Sequence, residues 1–173
     1  MAHPLVTQLR FTRSEWLRAL KDVSAEDAQR RLPPMNSISW IIGHLTWQEH
    51  RYWIMTQEKV LLPHLNQLVG YGAPASSPPL DEMWEGWHTV TRAADPYLDT
   101  LTSETLQVHA VVYGETVPES MGTLLRRTTY HYWYHMGEAL AIRQMLGHTD
   151  LPDFVGDIGD EAPYWPEHAV ETH

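Results

Sequence analysis

One long helical run constrains the fold more than any other feature. From about Ser120 to Leu146 the chain keeps a helix-compatible pattern, and Gly147 supplies a usual C-terminal stop. A helix of that length is not stable alone, so other segments must cover its apolar stripe. At about 100° per residue, Leu124, His135, Glu138, Ile142 and Met145 fall within about 40° of His131. His131 and His135 are therefore one turn apart, on the side expected to face a core.

Three further segments supply the cover. The first runs from roughly Leu5 to Val23, with Leu5, Leu9, Trp16 and Leu20 near helical spacing. Ser24-Ala-Glu-Asp27 reads as an N-cap with acidic first-turn residues, opening a short helix to Leu32 that Pro33-Pro34 stops. The second long helix starts after Asn36 or Ser37 and continues to about Gln57. Pro63 and the stretch from Gly70 to Pro79 form a long loop. The third helix covers about Leu80 to Leu101, with Pro96 kinking or restarting it. Leu106 to Tyr113 has β-branched content compatible with extended chain, and Gly114 to Gly122 returns it. The tail from His148 to His173 reads as irregular chain lying over the helices. The expectation is an all-α protein: one domain over residues 1–173, an antiparallel four-helix bundle with long connections and an irregular C-terminal tail.

Composition removes several functions. Twelve basic against 22 acidic residues give a formal net charge of −10, the wrong sign for a general nucleic-acid binder. The chain has no cysteine, which excludes disulfides, thiolate ligands and a cysteine nucleophile. Any metal must be held by His, Asp or Glu. The N-terminus lacks the basic start and apolar run of a signal peptide, and no apolar stretch is long enough to span a bilayer. A cytoplasmic protein with no membrane or nucleic-acid partner is expected.

Eleven histidines scattered over 173 positions would give roughly two-thirds of one i, i+4 pair by chance, so spacing alone decides little. The second helix sharpens the case. Around His44, Trp40, Gln48, Arg51 and Met55 fall within about 40° on one stripe, and Ile41 lies just outside it. Facing helices of a bundle commonly build metal and ligand sites from such stripes. His44, His131 and His135 offer three ligands with positions left open, the count of a catalytic zinc site. The same residues also fit a plainer reading, in which neutral core imidazoles bond to neighbours such as Tyr130, Tyr134 or Glu138 and no metal binds.

The segment Asn36-Ser-Ile-Ser-Trp-Ile-Ile-Gly-His-Leu-Thr-Trp-Gln-Glu-His-Arg-Tyr-Trp53 resembles the second helix of the DinB-like superfamily, and Tyr130 to His148 resembles its last bundle helix. The resemblance implies a four-helix bundle, often a homodimer, and a divalent metal, usually zinc or nickel. The family's ligands map onto His44, His131 and His135. Relatives include thiol-dependent isomerases and transferases, which use low-molecular-weight thiols such as mycothiol or bacillithiol, and metal-dependent hydrolases. The chain departs from the commonest pattern after His135, where Met136-Gly137-Glu138 stands in place of Arg-Gly-Gln. Glu138 then has three readings: hydrogen-bonding a ligand imidazole, approaching the metal, or acting as a base.

The first functional expectation is a metal-dependent enzyme acting on a small molecule, a thiol S-transferase or a hydrolase. Gln48, Arg51, Tyr134 and Glu138 are its candidate catalytic residues. The second is a non-catalytic, dimeric, stress-related protein that holds metal or a small ligand. His50 is expected on the far side of its helix, solvated or dimer-facing. Arg126-Arg127 reads as an anion site or an exposed ion pair, and Trp40 and Trp47 as pocket walls. His3, His64, His88, His109, His148, His168 and His173 have no convergent partner in the sequence and default to surface roles. There is no Ser-His-Asp arrangement, phosphate-cradling glycine loop or His-Glu-x-x-His.

Overall fold

The computed structural model describes residues 2–112 and 114–164. Its elements follow from local capping and breaking chemistry. Helix α1, Pro4–Ala19, begins where the His3 ring accepts from the Leu5 amide at 3.2 Å, with proline at the first helical position. It ends four residues before the expected Val23, because Asp22 adopts φ 65° in the left-handed region. Ser24 caps α2, Ala25–Gln29, by accepting from the Asp27 amide, and this helix also stops short of Leu32.

Helix α3, Ile38–Glu49, is capped by Ser37. The chain then widens into a π-helical turn over His50–Ile54 and tightens into a 3₁₀ turn over Met55–Gln57, ending at Glu58 with φ 59°. The expected span to Gln57 is present, but not as uniform α-helix. Helix α4, Leu65–Val69, is a short element with no expected counterpart. Helix α5, Leu80–Leu98, passes through Pro96 without restarting and ends two residues later, short of Leu101.

The all-α expectation needs a correction. Strands β1, His109–Val112, and β2, Glu115–Ser120, pair antiparallel in a two-stranded sheet, with Val112 opposite Glu115. Alternating burial along the valine-rich β1 favours extended chain, and Gly114 at φ 79° lies in the left-handed region of the connecting turn. The protein is mainly helical with one hairpin. Helix α6, Met121–Met145, follows at once, capped by Ser120 and closed by Gly147 at φ 90°. The tail carries one short helix, α7, Ile158–Glu161, and is pinned where the Gly156 amide donates to Glu15 at 2.7 Å. Residues 165–173 of the expected tail, with His168 and His173, lie outside the described residues. No helix of the described residues is long and apolar enough to cross a membrane.

Helix α3 packs on α5, α1 packs on α6, and α3 meets α6. Trp16, Ile41, Leu45, Leu98 and Leu124 are among the large side chains fully buried between them, each worth about 1.5–3 kcal/mol on leaving water. Met145, expected on the inner stripe of α6, is exposed instead. Among these apolar side chains lies a polar network with one residue from each long helix. Arg13 of α1 grips Glu49 of α3 with two hydrogen bonds, at 2.8 and 2.6 Å. Tyr132 of α6 donates to the same carboxylate at 2.9 Å, and Trp87 of α5 donates to the Tyr132 hydroxyl at 2.7 Å.

Candidate metal centre

Helix α3 brings His44 against the middle of α6, where His131 and His135 project one turn apart. One ring nitrogen from each of the three histidines lies within 4.8 Å of the others, so the three can hold a metal ion. Nε2 of His131 and Nε2 of His135 are 2.9 Å apart. Two nitrogens bound at 2.0–2.1 Å to one tetrahedral or six-coordinate ion would sit about 2.8–3.4 Å apart, so this pair is already at that spacing.

The outer nitrogens set which atoms are free to bind. His44 Nδ1 lies 2.7 Å from the Val69 carbonyl, which can only accept, so Nδ1 carries the proton and Nε2 keeps its lone pair. His135 Nδ1 lies 2.7 Å from Glu138 Oε2, which by the same reasoning leaves Nε2 bare. A carboxylate behind a ligand imidazole is the usual second partner at metal sites. Of the three readings of Glu138, the geometry shows the hydrogen bond to an imidazole. His131 differs: its Nδ1 is buried with no hydrogen-bond partner, and its Nε2 faces the lone pair of His135. A shared proton or a cation relieves that opposition.

Electrostatics favour the neutral, ligand-competent form of His131 and His44. Burial holds the His131 pKa down to about 3, with His135, His44 and Arg127 adding to the effect. Burial likewise lowers His44, against the opposing pull of its bond to Val69. His44 is also packed between indoles, stacking on Trp40 at 4.7 Å and on Trp47 at 5.3 Å between centroids. These residues lie four before and three after it, so one face of α3 carries all three rings.

Gly43 lets this arrangement close. A Cβ there would meet Met83 Sδ at 2.5 Å and Val69 Cγ1 at 3.0 Å. Gly43→Ala is expected to push α4 and α5 from α3, costing about 1–3 kcal/mol in urea denaturation. The same displacement should stretch the His44–Val69 bond and weaken metal affinity, which a chelator competition would read.

A cleft of about 730 Å³ opens beside the histidines, walled by His44, His131, Trp47, Gln48, Arg51 and Tyr130 among others. Gln48 is buried there with Oε1 unpartnered, and Arg51 lies over the rings of Trp47 and Tyr52. Tyr134 stands elsewhere: it is 73% exposed, off the cleft wall, and meets His135 only edge-on at 5.0 Å. Arg127, on the cleft wall, pairs with Glu119, while Arg126 lies over Tyr130.

His50 corrects the expectation of a solvated residue. It is buried, its pKa lowered by burial, and its Nε2 accepts from the amides of Leu61 and Leu62 at 3.0 and 3.4 Å. The far side of α3 is covered too. His148, expected at the surface, is half-buried between Arg143 and Asp27. Val69, Tyr52 and Tyr71 complete the surroundings without having been singled out in the sequence.

A mainly helical protein with three convergent histidines, two of them on the wall of a cleft, defines the class. The chain belongs to the DinB superfamily, whose family profile matches residues 8–139, a span containing all three histidines. Among curated proteins none matches the chain.

Proposed function

We propose that this protein is a metal-dependent enzyme that holds zinc or nickel through Nε2 of His44, His131 and His135 and acts on a small molecule. The convergence of three imidazoles, two with their outer nitrogens already bonded to fixed acceptors, carries the reading. We read the fold as an antiparallel four-helix bundle whose facing helices α3 and α6 build the site. A divalent ion there would supply a Lewis acid that makes a thiol or water nucleophilic near neutral pH.

The remaining work falls to the chain. Glu138 keeps the proton on His135 Nδ1 and fixes that ring, a positioning role. Gln48 offers an unsatisfied acceptor to a substrate N–H or O–H, and Arg51 offers donors beside it. The open cleft favours turnover of a small molecule over closed storage, with thiol transfer and hydrolysis as its two forms. Tyr134 and Met145 expose apolar surface on one face of α6, where we place the contact of a homodimer.

The deciding measurement is the metal content of untagged protein after loading with zinc or nickel and desalting. About one ion per chain is expected; no uptake of either metal ends the proposal. Loaded protein is then offered a low-molecular-weight thiol with an electrophile, and ester and amide substrates, to separate transfer from hydrolysis. Glu138→Gln should weaken metal affinity roughly 10–100-fold while leaving thermal stability of the metal-free protein nearly unchanged.

A further inference from the structure

The cleft departs sharply in charge from the rest of the protein. The chain has 22 acidic and 12 basic residues, yet the cleft wall contains Arg51, Arg126 and Arg127 and no Asp or Glu. Arg127 is engaged by Glu119. Arg51 and Arg126 form no ion pair among the described residues. Arg51 Nε is buried with no hydrogen-bond acceptor, although a donor in that position ordinarily has one.

Both guanidinium groups are shelved on aromatic rings. Arg51 lies 5.9 Å from the Trp47 centroid and 6.0 Å from that of Tyr52, and Arg126 lies 6.0 Å from that of Tyr130. A guanidinium resting on a ring keeps its in-plane N–H donors available for a forked contact with carboxylate or phosphate.

We infer that the cleft selects a substrate bearing a carboxylate or phosphate, held by Arg51 and Arg126 away from the three histidines. Arg126 lies five residues before His131, and Arg51 seven after His44, so at about 1.5 Å per residue the anion and the metal-reactive atom are separated by roughly 7–11 Å along the helices. The unpartnered Gln48 Oε1 lies between these levels on α3 and meets a donor in the substrate's middle. The net charge of −10 opposes approach of an anion at long range, and the local arginines reverse that at the cleft. This inference rests on reading the cleft as the substrate site, and its test separates the two.

Metal-free protein is titrated calorimetrically at low ionic strength with phenyl phosphate, benzoate and uncharged benzyl alcohol. Saturable binding of at least one anion, and none of the alcohol, is expected; which anion binds names the group. Arg51→Met and Arg126→Met should each weaken it about tenfold or more, as loss of a charge-assisted contact does, while Arg30→Met changes nothing. Arg126 is exposed, so its variant remains informative if Arg51→Met folds poorly. No saturable anion binding, equal binding of benzyl alcohol, or unchanged affinity in Arg126→Met overturns the inference. His135→Ala should lower zinc affinity by at least about a hundredfold and keep anion binding. Zinc uptake without anion binding therefore defeats this inference alone, and anion binding without zinc uptake defeats only the metal reading.

Discussion

Glu49→Ala is expected to destabilise the protein by about 3–5 kcal/mol, the cost of leaving a buried charge without its partner. Glu49 is fully buried and Arg13 nearly so. Burial pulls the Arg13 pKa down, but Glu49, with smaller help from Tyr132 and Asp95, more than offsets it and keeps the group charged. Without the carboxylate, Arg13 retains only the half-exposed Asp95, and the Tyr132 hydroxyl has no acceptor. Against a typical total of about 5–15 kcal/mol, that is a large fraction of the fold's stability. Urea denaturation checks it. Arg13→Met combined with Glu49→Leu should recover most of the loss, because replacing both partners removes the desolvation penalty together with the bond. A loss below about 1 kcal/mol for Glu49→Ala would show that Arg13 finds water instead.

His135→Ala should lower zinc affinity by at least about a hundredfold in chelator competition, since it removes one of three ligands and the anchor of Glu138. His50→Ala is the matched comparison. It removes a buried histidine that accepts from two amides, so it should reduce stability and leave metal uptake intact. Equal losses of metal in both variants would show that the three-histidine cluster has no special place. The metal-free protein should also show a characteristic acid response. His44 and His131 titrate below the ordinary histidine value of 6.5 because they are buried, His131 at about 3. As pH falls below 6.5 the unfolded chain takes up protons first, so stability is greatest above 6.5 and declines toward 3. Bound zinc should offset part of that decline by mass action until protons displace it.

The convergence of the three histidines was legible because helical spacing converts directly into a shared face. His131 and His135 needed only their i, i+4 relation, and His44 only its place among Trp40, Gln48 and Arg51. What sequence reading missed came from contacts distant along the chain. The Val69 carbonyl that orients His44 ends a helix of five residues, too short for periodicity to register. Tyr71 reaches the cleft from the Gly- and Pro-rich loop, which carries no positional pattern. His50 departs from expectation because the side of the helix away from His44 is covered as well. Of the twelve residues of α3 only Trp47 is not buried, and an apolar run without a polar face signals such burial. Arg13 follows the same logic: it lies within about 40° of Leu9 on the inner stripe of α1, so a buried partner was to be expected, though not its identity.

The four-helix hydrogen-bond network also bears on how the protein opens. Trp87, Tyr132, Glu49 and Arg13 each come from a different long helix, so no helix can peel away without stranding a buried polar group of another. The amides of the four should therefore exchange with solvent only through one cooperative opening, while α4, α7 and the hairpin exchange earlier through local fluctuations. Two members of the network stand next to site residues: Glu49 follows Gln48, and Tyr132 follows His131. By fixing the rotation of α3 and α6 about their own axes, the network sets from behind the direction in which the imidazoles point. The precision of the three-histidine cluster is thus a property of the whole cooperative unit.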